Sequence, residues 1–141
     1  MTKNKKITLI TLVLVLILGV LVLSQLGGNQ EEKLTIKLEK VGSEFYSEFY
    51  YDQIVSDKTE EEVEAFLARY SEIGIKVDID NLSRFNEEKY ANLVDEFKNK
   101  KDDIACDIRN TRAIIYPTEP FGKTDFTVSA ELDCGFEAAT E

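Results

Sequence analysis

The side chains able to do chemistry are few in kind. Two cysteines, Cys106 and Cys134, stand among 27 aspartates and glutamates, and there is no histidine. Without imidazole there is no His-based triad, no His-ligated zinc and no proton shuttle at neutral pH. No GxGxxG, phosphate-binding loop or Cys-x-x-Cys occurs. Two carboxylates suffice to hydrolyse a glycosidic bond, but 27 of them form pairs by chance and single out none. DIDNLSRFNEEK, starting at Asp78, opens like a calcium loop, which needs an oxygen ligand at its fifth position, glycine at the sixth and glutamate at the twelfth. Leu82, Ser83 and Lys89 occupy those places. The Asn81-Leu82-Ser83 sequon has meaning only in a eukaryotic secretory pathway. The expectation is therefore a protein that is not an enzyme, with no catalytic residue, no metal site and no cofactor. A net charge of −10 argues against nucleic acid as a partner.

The cysteines carry the most definite chemistry, a disulfide. Stretches 104–116 and 124–134 are rich in β-branched and aromatic residues and largely alternate, and PTEPFGK between them is turn-forming. An antiparallel hairpin that sets Cys106 opposite Cys134 also sets Ile108 opposite Leu132, Ile114 opposite Phe126 and Tyr116 opposite Thr124. Opposed residues lie within disulfide reach. This register puts Asn110 and Arg112 on the apolar face, so a bulge is expected near Asn110-Thr111. In the hairpin loop Phe121, flanked by Glu119 and Lys123, is the candidate partner contact, with folding back onto the helices as the alternative.

Helices must support this hairpin. Asn29 with Glu32 forms a capping pattern, and one helix is expected from Gln30 to Val55. Leu34, Leu38, Val41, Phe45 and Phe49 share one stripe of it, so Leu38, Val41, Phe45 and Phe49 are assigned to the core. EFYSEFYY, residues 44–51, holds five of the fourteen aromatic residues. At this spacing the run reads as a core face rather than a ligand platform, with Tyr51 turned away from the core. A second helix starts at the Thr59–Glu62 capping box and stops at Gly74; a third starts at Asn86 and carries Tyr90, Leu93, Val94 and Phe97 toward a lysine-rich end. Ile75, Val77 and Ile79 alternate as a short edge strand. The fold class is α+β: three helices and a disulfide-closed hairpin.

Residues 7–26 contain no charge, and twenty helical residues span about 30 Å, the thickness of a bilayer core. The expected organisation is a cytoplasmic stub (1–6), a transmembrane helix (7–26), a linker (27–29), an extracytoplasmic domain (30–136) and a tail (137–141). Lys3, Lys5 and Lys6 precede the span, whereas the other 14 of the 17 basic residues and all 27 acidic residues follow it, a net charge of −13 beyond the span. The positive flank stays inside, so the acidic domain lies outside the cell membrane. A signal peptide cleaved after Ser24 is the competing reading.

FYYDQI, GIKVDIDNLSRF and IYPTEPFGKTDFTVSAELDCGF, with the lysine-rich start and single span, resemble a group of short anchored proteins from small-genome bacteria of the Saccharibacteria type. The resemblance implies a bacterial envelope address and no activity. The expected function is an interaction module for an envelope protein or polymer, or a subunit of a membrane assembly. A glycan-active enzyme with paired carboxylates and an accessory sensory subunit are the alternatives.

Overall fold

A computed structural model describes residues 29–136. The predicted span at 7–26 and the tail at 137–141 lie outside these residues. Among the described residues, no helix is long and apolar enough to cross a membrane. The fold is α+β, with helices packed around antiparallel sheets.

Helix α1 (Gln30–Phe45) starts where the Asn29 side chain accepts a hydrogen bond from the Glu32 N–H at 2.8 Å. Its buried face holds Leu34, Leu38, Val41, Gly42 and Phe45. Gly42 permits close approach to the sheet, because a Cβ there would lie 2.6 Å from Ala113 Cβ. The helix does not end at Phe45. It passes through a π-helical segment, Tyr46–Tyr50, and continues as α2 (Tyr51–Val55). This segment corrects the predicted core stripe. A π turn bonds i to i+5, so the residue one turn beyond Phe45 is Tyr50 rather than Phe49. The Phe45 and Tyr50 rings accordingly stack at 5.5 Å. Leu38, Val41 and Phe45 are buried, but Phe49 is 40% exposed. Tyr51, expected to face away from the core, is half-buried and lies 6.0 Å from the Tyr46 ring.

Helix α3 (Glu60–Ile73) begins with the full capping box, in which the Glu62 carboxylate accepts from the Thr59 N–H and the Thr59 hydroxyl oxygen accepts from the Glu62 N–H. Gly74, at φ 77°, ends it. Strand β1 (Ile75–Asp78) follows, but Ile79 opens helix α4 (Ile79–Arg84) instead of extending the strand, because the Asp78 carboxylate accepts from the Asn81 N–H at 2.8 Å. The helix expected from Asn86 into the lysines is broken into α5 (Glu87–Tyr90) and α6 (Leu93–Glu96). Tyr90, Leu93 and Phe97 are buried as their spacing implied. Beyond Glu96, however, Lys98–Asn99 forms strand β2, paired with β3 (Ile104–Ala105). The side chain of buried Asn99 donates to the Asp102 carboxylate and accepts from its N–H, a local turn that outcompetes another helical turn.

Strand β1 pairs with β4 (Arg112–Pro117), which pairs with β5 (Phe126–Glu131), all antiparallel in the order β1-β4-β5. Ile75, Val77, Ala113, Ile115, Phe126 and Val128 share the face toward the core. Cys106 and Cys134 form a disulfide. The predicted register holds at that end of the hairpin, where the Asp107 N–H donates to Asp133 O at 2.7 Å. Further along it shifts by three residues: Ile114 faces Ser129 instead of Phe126, and Phe126 faces Pro117. The extra residues form a turn where a single-residue bulge was expected. The Thr111 N–H donates to Asp107 O, and the Asp107 carboxylate accepts from the Arg109 and Asn110 N–H groups. Ile108, expected opposite Leu132, is exposed on this turn.

Candidate functional site

The hairpin loop does not project freely. Phe121 is half-buried against the core with its N–H bonded to Thr118 O at 2.7 Å. Lys123 Nζ lies 3.1 Å from both carboxylate oxygens of Asp52. Glu119 is exposed at the tip. Of the three proposed contact residues, Lys123 ties the loop to helix α2 through Asp52, and Phe121 packs against the core.

A more definite concavity lies where the π-helical segment meets β1 and α4. Its volume is about 490 Å³, and its apolar walls are Phe45, Phe49 and Tyr50 from the helix, Ile75 and Val77 from β1, and Phe85 just past α4. Phe85 stands edge-on to Phe45 at 5.5 Å and lies 6.3 Å from Phe49. Burial of Tyr50, with the nearby Tyr70 phenol, pushes its hydroxyl above its ordinary pKa. Lys76, Asn81 and Arg84 supply the polar rim, with the Arg84 guanidinium paired to the Asp80 carboxylate at 2.8 Å. EFYSEFYY is thus divided: Phe45 and Tyr46 are core, while Phe49 and Tyr50 wall a groove. Phe85 was missed in the sequence, where a single aromatic after a short helix has no periodic neighbours to flag it.

Two other places hold polar chemistry. Glu44, with 18% of its side chain exposed, accepts hydrogen bonds from Lys89 Nζ at 2.8 Å and from the Tyr90 hydroxyl. Burial pushes this carboxyl upward, but the bonds from Lys89 and Tyr90 and the Lys89 and Lys40 charges outweigh it and hold the pKa below the usual value. A cavity of about 330 Å³ is lined by Asn29, Gln30, Glu31, Asn99, Asp102 and Phe136, among others. Its two carboxylates are on exposed residues, and Asp102 is engaged by Asn99. Among the described residues, no three His, Cys, Asp or Glu side chains converge to hold a metal ion.

No family model, curated protein or solved structure matches this chain, so its function rests on the residues themselves.

Proposed function

We propose that this chain is a membrane-anchored interaction module whose α+β domain faces the outside of a cell envelope and binds a partner through the aromatic groove. The groove carries this proposal: Phe49 is 40% exposed and helps wall a concavity that holds three further aromatic rings. Aromatic residues concentrated in a pocket with a polar rim are the usual composition of a binding hot spot. The uncharged stretch 7–26 and the lysines before it support the anchor and its orientation.

A photo-crosslinking phenylalanine analogue placed at position 49 of the full chain in its native membrane tests this proposal. A discrete adduct is expected at Phe49 and not at Ile73, which is 64% exposed elsewhere on the domain. No adduct, or equal adducts at both positions, would reject the groove as the contact surface. Protease added from outside should digest the domain; protection would reverse the orientation.

A further inference from the structure

Resting on that reading of the groove, we infer that its partner is an extended, acidic polypeptide segment, added as a further strand to the free edge of β1 with an apolar side chain seated among Phe45, Phe49, Tyr50 and Phe85. The backbone supplies the first observation. Among the described residues β1 is an outer strand of its sheet, bonded to β4 on one side only. In an antiparallel pair, alternate residues turn both backbone groups toward the neighbour and the others turn them away. The Ile79 N–H donates to Thr111 O at 3.0 Å, continuing the register in which Ile75 faces Ile115 and Val77 faces Ala113. Ile75, Val77 and Ile79 therefore point their backbone groups at β4. Lys76, between them, points its N–H and C=O outward, beside the groove that Ile75, Lys76 and Val77 help to line.

Charge supplies the second. The domain is strongly acidic, yet the charged residues lining this groove are Lys76 and Arg84; Arg84 is paired with Asp80 at 2.8 Å, which leaves Lys76 as the lining cation with no ion-pair partner among the described residues. Lysine in the middle of an edge strand discourages indiscriminate pairing. Here it also selects its partner: an acidic strand gains attraction that a basic or neutral one lacks. Strand addition takes its affinity from main-chain bonds and its specificity from pockets for alternate side chains. With four residues in β1, the edge supports few main-chain bonds, so the aromatic pocket must anchor the segment and binding is expected to be reversible.

The test pans a library of random linear peptides on the full chain in lipid nanodiscs, with counter-selection on the Phe49→Asp variant. Exposed Phe49 and Lys76 can be substituted without emptying the core. Enriched peptides should alternate acidic with aromatic or aliphatic residues. They should bind at least about tenfold less tightly to Phe49→Asp and to Lys76→Glu. Hydrogen exchange at the Lys76 amide should slow when they bind. Peptides that need Phe49 but leave Lys76 exchange unchanged, or that carry helical i,i+4 spacing, would refute strand addition while keeping the groove as a contact surface. A library that yields no Phe49-dependent binder, together with no adduct at position 49, would overturn both. Binding of glycan fragments in place of peptides would overturn the polypeptide assignment.

Discussion

Truncating two phenylalanines four residues apart separates a helix containing a π segment from an uninterrupted one. In an unbroken α-helix Phe45 and Phe49 share one face, and Phe→Ala at either should cost the same. Here Phe45 is 7% exposed and ringed by Phe49, Tyr50 and Phe85 at 5.5 to 5.6 Å. Phe45→Ala removes a nearly fully buried ring and should cost about 3–5 kcal/mol. Phe49 is a groove wall with 40% of its surface already wet. A fully buried side chain of this size is worth about 1.5–3 kcal/mol of transfer free energy, so Phe49→Ala should lose about 1–2 kcal/mol, with no closed void to add. Tyr50→Ala should exceed Phe49→Ala, because Tyr50 occupies the place one π turn beyond Phe45. Urea unfolding of residues 29–141 with the disulfide intact, followed by circular dichroism and tyrosine emission in this tryptophan-free chain, measures all three. Equal losses at Phe45 and Phe49, within about 0.5 kcal/mol, would refute the π-shifted register and the groove built on it.

Three further outcomes are expected. Reduction of the Cys106–Cys134 disulfide, which closes 28 residues, should cost about 3–4 kcal/mol in chain entropy; an unchanged melting temperature would deny it this role. Tyr46→Phe should raise stability by about 1 kcal/mol, because the Tyr46 hydroxyl is buried without a hydrogen-bond partner among the described residues; a clear loss would reveal a partner. Glu44 has a folded pKa below its ordinary 4.5, so its contribution is present above that value and lost as pH falls through the lower folded one. Glu44→Gln should flatten the acid limb of the stability profile below about pH 4.5, and an unchanged limb would contradict the network with Lys89 and Tyr90.

Short-range chemistry was readable from the residues. The Asn29 and Thr59 caps, the stop at Gly74 and the stripe from Leu34 to Phe45 depend on neighbours within four positions, and all occur in the fold. The cysteine pairing was readable because the two halves of a hairpin must meet. Its register was not, because the Asp107–Thr111 turn absorbs three residues through bonds from the Asp107 side chain, and alternation alone assigns them to a strand. The break after Glu96 arose the same way, from the Asn99–Asp102 pair.

The candidate site was hidden by a different cause. Helical periodicity assumes 3.6 residues per turn, and one π turn invalidates it for every residue beyond. Before Tyr46 the predicted stripe and the buried face agree; at Phe49 they part. Had the α-helix continued unchanged, Phe49 would follow Phe45 into the core. Instead Tyr50 takes the place beneath Phe45, and Phe49 is left beside Phe85 and the outer edge of β1. π turns recur at functional sites because they reposition side chains at a cost to helical regularity. Local rules that fail at one place, while holding around it, point to a site where regularity yielded to something else. In this chain the failure at Phe49 and the open aromatic groove coincide.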